Sequence, residues 1–219
     1  MRRWIAMDTA PNPSTEPHSC VVLLAAGAAS RFGSAKQIAD IDGIAMVRHC
    51  ALNALRTGVP VVVVTGAHRE RVEQELHELD VVPIEVVLIQ NPTWQRGMGS
   101  SIACGVRAAL DRFARLESIV IVLADQPAIS AEHLLALMRR HAERSDSIVA
   151  SRANDVLGPP IVFPRRLFEE LMELHGQTGA RHVVDRHRDA LVAFDLPEAG
   201  IDIDSAADHA TFRASQTPA

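Results

Sequence analysis

Four stretches carry residue types and spacings that could do chemistry. The first, residues 24–37, reads Leu24-Ala25-Ala26-Gly27-Ala28-Ala29-Ser30-Arg31-Phe32-Gly33-Ser34-Ala35-Lys36-Gln37. Small residues let backbone N–H groups approach a phosphate closely, and Arg31 and Lys36 can add charge-assisted bonds. Neither a Walker A loop nor a GxGxxG turn is present, so phosphate binding and an ordinary strand-to-loop turn stay equally open on these residues alone. The second stretch is Asn91 to Ser101, where Gly97-Met98-Gly99 forms a flexible turn ahead of a helix start at Ser100. A helix N-terminus with serine hydroxyls suits an anion or polar ligand, although an N-cap is the commoner use of Ser100 or Ser101. The third is Asp125, at the end of the apolar run 119–124. A carboxylate there is costly unless a cation or hydrogen-bond donors meet it, the bland alternative being a cap on the loop before Ser130. The fourth is Asp202 and Asp204. They alternate across one residue, so an extended backbone turns both to one face, where they crowd unless a cation sits between them. Against this stands simple capping of the last helix by Asp204 or Ser205.

These residues must be positioned by a larger frame. Apolar runs alternate with amphipathic stretches, which argues for a single three-layer α/β/α domain with a mostly parallel sheet. Strands are expected at 20–26, 61–65, 84–89, 119–123, 148–151, 161–163 and 191–194. Helices are expected at 46–57, 70–79, 100–115, 130–144, 165–174 and 180–187, with a last one after Ser205. The loops 27–37, 90–99, 125–127 and 158–160 fall at the carboxyl ends of strands, where open α/β sheets bind ligands. Residues 158–160 (Gly-Pro-Pro) are stiff enough to line an acceptor pocket, Trp94 reads as a loop packing residue, and His182 and His187 are five apart, a poor helical pair for zinc.

Composition narrows the class. The 219 residues are 47% apolar and 22% charged, with a net charge of −5, an ordinary globular balance. An acidic surface without charge blocks does not favour nucleic acid or an anionic membrane as partner. Cys20, Cys50 and Cys104 form no CxxC and no even framework, which suits a reducing, cytoplasmic setting. No apolar run reaches membrane-spanning length. Residues 1–19 read as a disordered leader, with Met7 an alternative start, residues 20–214 as the domain, and residues 215–219 as a disordered tail.

The first stretch closely resembles the signature LAAGxSxRxGxxK of the molybdopterin-nucleotidyltransferase-like family, a branch of the sugar-nucleotidyltransferase superfamily, with one residue more before Ser30. NPTWQRGMGSSIACGV resembles that family's NPxWxxGMGxSIxxGV, VLADQP its LxDQP, GPPIVFPRRLFEELMELHGQTGAR its GxPxxFxxxxFxxLxxLxGDxGAR, and IDIDSAAD its DIDTPED ending. The segments occur in the family's order over roughly residues 21–212. One departure stands out: Gln177 is neutral where the pattern has a carboxylate.

The resemblance implies a nucleotide-diphospho-sugar-transferase-like fold and an Mg²⁺-dependent nucleotidyl transfer. Leu24, Ala25, Ala26 and Gly27 would cradle the nucleotide, with Gly27, Arg31 and Lys36 on the triphosphate. Asn91, Gly97, Met98, Ser100 and Ser101 would face base and ribose. Asp125 would hold Mg²⁺ with Asp204 or, less favoured, Asp202. Lys36→Ala should then weaken NTP binding with little effect on stability. The GMGxS and LADQP pattern resembles the cytidylyl branch, so CTP is the expected donor and molybdopterin the expected acceptor, with a molybdoenzyme or its chaperone receiving the product. Guanylyl transfer from GTP, and a nucleotide-binding accessory protein for cofactor delivery, are the alternatives. A Rossmann oxidoreductase is disfavoured because no GxGxxG follows the first strand.

Overall fold

The computed structural model describes residues 16–28, 32, 35–79 and 84–216. Its strands are β1 (Ser19–Ala25), β2 (Asp40–Ile41), β3 (Ile44–Ala45), β4 (Val61–Thr65), β5 (Val86–Gln90), β6 (Ser118–Leu123), β7 (Ile148–Ala153), β8 (Val156–Pro164) and β9 (Leu191–Asp195). Its helices are α1 (Met46–Leu55), α2 (Arg69–Leu76), α3 (Met98–Arg112), α4 (Ala131–Ala142), α5 (Phe168–Met172), α6 (Ala180–Arg186) and α7 (Ala206–Gln216). Seven strands form one sheet in the order β5-β4-β1-β6-β8-β7-β9, parallel except where β8 runs against β6 and β7. This is the α/β fold with a mostly parallel sheet that the alternating pattern predicts.

Continuous apolar strands explain the three layers. All four valines of β4 are fully buried, as a strand covered on both faces requires. Val21, Leu23, Val61, Val63, Val120 and Val122 face one core with α1, α2 and α4. Cys20, Val22, Val62, Val64, Ile119 and Ile121 face the other, under α3, α5 and α6. At Gly105 in α3 a Cβ would stand 2.5 Å from Val22 Cγ1, so the glycine lets the helix lie close on the sheet.

Register then aligns the loops. Ala25 pairs with Thr65, Thr65 with Gln90, and Leu24 with Leu123. The chain therefore leaves β1, β4, β5 and β6 along one edge of the sheet. Backbone bonds continue past the strands, from Ala67 N to Ala26 O at 3.0 Å, Ala124 N to Leu24 O at 3.1 Å and Asn91 N to Thr65 O at 2.8 Å.

Several local expectations change. Residues 156–164 form one strand, not a turn followed by a short strand, because Asn154 and Asp155 both adopt positive φ and close a tight hairpin with β7. Asp42-Gly43 closes a second hairpin, β2–β3. Helix α3 starts at Met98, with Gly97 in the N-cap position, so neither Ser100 nor Ser101 is its cap. The segment 165–174 is a 3₁₀ turn and a short helix. Ser19 is already the first residue of β1, and Glu16 pairs with Arg115 at 3.3 Å. Residues 1–15 of the expected leader and residues 217–219 lie outside the described residues, while residues 215 and 216 of the expected disordered tail are the end of α7. All three cysteines are free, and no helix among the described residues is long and apolar enough to cross a membrane.

Candidate nucleotide-transfer site

The strand-end loops enclose a cavity of 460 Å³. One wall is Leu24 to Ala28 with Lys36 and Gln37. The opposite wall is Gly97, Met98 and Ser101 at the start of α3. Asp125 and Asp204 close one end, and Trp94, Gln95 and Gln177 contribute to the lining.

Lys36 is the centre of the charged end. It sits on a 3₁₀ turn, residues Lys36–Ile38, that follows the first loop. Its Nζ donates to Asp125 Oδ2 at 2.7 Å and to Asp204 Oδ1 at 2.9 Å. The two carboxylate oxygens are thus no farther apart than those distances together, inside the roughly 8 Å beyond which two carboxylates cannot share one Mg²⁺. Asp204 reaches this position because Ile203, fully buried, donates its N–H to Asp125 O at 2.9 Å. Capping of α7 falls instead to Ser205, whose Oγ accepts from Asp208 N at 3.2 Å while Asp208 Oδ2 accepts from Ser205 N at 2.8 Å.

The charges are tightly coupled. Burial pulls the Lys36 ammonium down, but Asp125 and Asp204 together outweigh it and hold its pKa above the ordinary lysine value. Burial, then Asp125, push the Asp202 carboxyl above its usual range. Asp204 adds to the push, while a hydrogen bond with Gln126 and the charge of Lys36 oppose it. Asp202 is exposed as a residue although its carboxyl is partly desolvated, and it does not line the cavity. The contacts of Lys36 bear on the expectation that it can be truncated with little effect on stability. It is the counter-ion of two carboxylates, with its side chain 12% exposed, and its removal leaves them facing one another.

Gln37, beside Lys36, was not singled out by sequence reasoning. It is buried, and its Nε2 donates to Ala25 O at 3.3 Å and also to Gly27 O. That clamps the start of the first loop. A Cβ on Gly27 would meet nothing within 4 Å, so the backbone there faces open cavity. The signal in sequence was weak: a glutamine following a lysine in a loop.

The second wall is built differently from the expectation. Asn91 is 2% exposed. Its amide donates to Ser100 Oγ at 2.9 Å and Ser101 Oγ at 3.0 Å, and its Oδ1 accepts from Thr93 N at 2.9 Å and Thr93 Oγ1 at 3.0 Å. Every polar atom of the side chain is spent on tying the loop 91–101 together. Asn91 and Ser100 line a separate groove beside β5 rather than the cavity, whereas Gly97, Met98 and Ser101 do line the cavity. Gly97 has φ of 113°, and a Cβ there would collide with the Gly176 carbonyl; at Gly99 it would stand 2.6 Å from Thr178 O. The segment 175–179 therefore packs backbone to backbone on the start of α3, and this brings Gln177 to the cavity. Trp94 lines the cavity as well as packing the loop. Residues 158–160 do not line it; Pro159 O accepts from Gln126 Nε2 at 3.2 Å. His187 bonds Glu170 at 2.7 Å and does not line the cavity. Arg31 lies outside the described residues.

Among the described residues, no group of three or more His, Cys, Asp or Glu side chains stands close enough to hold a metal. The donors present are oxygens from Asp125 and Asp204. Asp125 Oδ1 is buried without a hydrogen-bond partner among the described residues. An oxygen-only set with one or two carboxylates fits the preference of Mg²⁺.

The mostly parallel seven-stranded sheet is that of the nucleotide-diphospho-sugar-transferase-like class of α/β folds, and its strand-end cavity carries a small-residue loop and a Lys–Asp–Asp cluster. The chain belongs to the MobA-like NTP transferase domain family, which matches residues 21–191. It is 31% identical over 176 residues to the purine catabolism protein PucB of Bacillus subtilis, covering 77% of this chain and 81% of that one. Its fold is like that of Rv0371c from Mycobacterium tuberculosis, with a TM-score of 0.72, 24% identity and coverage of 90% and 99% of the two chains. A further structure of Rv0371c is a complex with manganese, with a TM-score of 0.69, 24% identity and coverage of 91% and 100%. The fold is also like that of molybdopterin-guanine dinucleotide biosynthesis protein A from Archaeoglobus fulgidus, with a TM-score of 0.65, 17% identity and coverage of 90% and 100%.

Proposed function

We propose that the protein is an Mg²⁺-dependent transferase that moves CMP from CTP onto the phosphate of molybdopterin. The observation that carries this reading is the pair of carboxylates, Asp125 and Asp204, brought from distant segments onto Lys36 at the end of a cavity walled by the small-residue loop. The acceptor phosphate oxygen attacks the α-phosphorus, the bond to the β-phosphate oxygen breaks, and pyrophosphate leaves. Such chemistry asks the protein for positioning and charge neutralisation, not for a nucleophile of its own.

The chain's residues divide that work. Backbone N–H groups of the loop from Gly27 onward would face the phosphates, on the side where a Cβ on Gly27 would meet nothing within 4 Å. The Lys36 ammonium stays protonated and offers its charge to the departing pyrophosphate; Arg31 would act beside it. Asp125 and Asp204 would hold the divalent cation, which when bound neutralises phosphate charge. The start of α3, at Gly97, Met98 and Ser101, receives base and ribose, with Asn91 holding that wall in place. Manganese in the Rv0371c complex supports a divalent cation on this fold, and the GMGxS and LADQP segments support CTP.

A pyrophosphate-release assay with each of the four NTPs, Mg²⁺ and molybdopterin tests the reading. CTP should give the fastest release. Faster release from GTP would overturn the base assignment and leave the transferase class standing. One observation favours a second reading: neutral Gln177 lines the cavity where the family pattern carries a carboxylate. A nucleotide-binding accessory protein would bind CTP and release no pyrophosphate with any acceptor.

A further inference from the structure

The Lys36 ammonium stands where a shared cation would stand. It lies 2.7 Å from Asp125 Oδ2 and 2.9 Å from Asp204 Oδ1. A divalent ion that touches both carboxylates at about 2.1 Å would occupy the same small volume. The ammonium and the ion cannot share it, since they exclude one another by size and repel by charge. Yet the position is not fully satisfied by the lysine. Asp125 Oδ1 stays buried with no hydrogen-bond partner among the described residues, an acceptor capacity that one ammonium leaves unused.

Lysine is a mobile plug. A lysine has a flexible four-carbon stem and a compact point charge at its end, and Lys36 also lines the cavity that the triphosphate would enter. Turning toward that cavity would release the hydrogen bonds of Lys36 to both carboxylates at once. We propose that Lys36 and the divalent cation compete for the carboxylates of Asp125 and Asp204, and that the triphosphate ends the competition by drawing the ammonium away, so metal and nucleotide bind synergistically. This rests on the transferase reading of the same site and adds its regulation: the metal position is self-occupied until a polyphosphate arrives. Linkage makes the effect reciprocal, so a metal that tightens the nucleotide is tightened by it to the same degree.

The test is an Mn²⁺ titration without nucleotide, reading free Mn²⁺ by electron paramagnetic resonance. The proteins are the full chain and its Lys36→Met, Lys36→Gln and Lys36→Arg variants, each checked for folding by circular dichroism. Lys36→Met and Lys36→Gln should bind Mn²⁺ at least about ten-fold tighter than the parent, within the usual range of coupling between sites. Lys36→Arg, which keeps the charge, should resemble the parent. Adding Asp125→Asn to Lys36→Met should erase the gain. Equal Mn²⁺ affinity in the parent and both neutral variants would overturn the proposal, as would a gain that survives Asp125→Asn. Absence of pyrophosphate release with every NTP would overturn the transferase reading instead, and leaves these affinities unaffected.

Discussion

Asn91→Ala separates a loop clamp from a ligand contact. The side chain makes two donated and two accepted hydrogen bonds, between 2.9 and 3.0 Å, and is 2% exposed. Each such bond contributes about 0.5–1.5 kcal/mol net, and truncation also strands the buried hydroxyl of Ser101. Together these place the loss at about 2–4 kcal/mol. In a domain of this size that lowers Tm by roughly 5–15 °C. The assay is urea denaturation monitored by circular dichroism, run beside CTP titration by calorimetry. Stability should fall by the stated amount, and CTP affinity should fall with it because the start of α3 loses its anchor. Stability within about 0.5 kcal/mol of the parent, combined with a ten-fold loss of CTP affinity, would refute the reasoning. Asn91 would then contact the nucleotide directly.

Three further outcomes follow from the same contacts. Gly97→Ala should lose about 2–4 kcal/mol, because an alanine at φ of 113° is strained and its Cβ collides with Gly176; unchanged thermal stability would mean that the 175–179 segment yields freely. Asp202→Asn should stabilise the protein in EDTA by a few tenths to about 1 kcal/mol, a small gain because the residue is exposed and screened; its raised pKa means that the charged form is the disfavoured one, so a lower Tm at pH 7 would contradict the repulsion. Burial lowers the pKa of His141, and that of His49, despite carbonyl partners at Ser147 and Pro127 that pull the other way. Below about pH 6.5 the unfolded chain therefore takes up protons that the folded chain refuses, so Tm should fall as pH drops from 7.5 to about 5.5, and His141→Gln should flatten part of the slope; a Tm that rises over that interval would be inconsistent with the burial of these rings.

The layers were legible because four-residue apolar runs such as Val61–Val64 admit few alternatives to a strand buried on both faces. The loop 24–37 was legible as a possible anion loop from its small residues, and its place in a family from its motif. What the sequence did not carry was tertiary. Nothing near Lys36 says that its partners are Asp125 and Asp204, 89 and 168 residues away; that follows from the β1–β6 register and from Ile203 bonding Asp125. Asn91 was assigned to the nucleotide because it lies in a ligand-binding segment, but burial spends its amide on its own loop. The α3 start was placed at Ser100 on the strength of a good capping residue, whereas Gly97 holds the cap position because the approach of Gly176 leaves no room for a side chain. The β7–β8 hairpin was missed because Gly-Pro-Pro is a stronger turn signal than Asn-Asp, although the latter makes the turn.

Transfer of the α-phosphate label tests the central claim most directly. CTP radiolabelled at the α-phosphate is incubated with the protein, Mg²⁺ and molybdopterin, and the products are separated. The label should move onto the acceptor as pyrophosphate appears, and Asp125→Asn, folded by circular dichroism, should abolish the transfer. Label that stays in CTP, or that moves equally well in Asp125→Asn, would contradict a transfer site built on Lys36, Asp125 and Asp204.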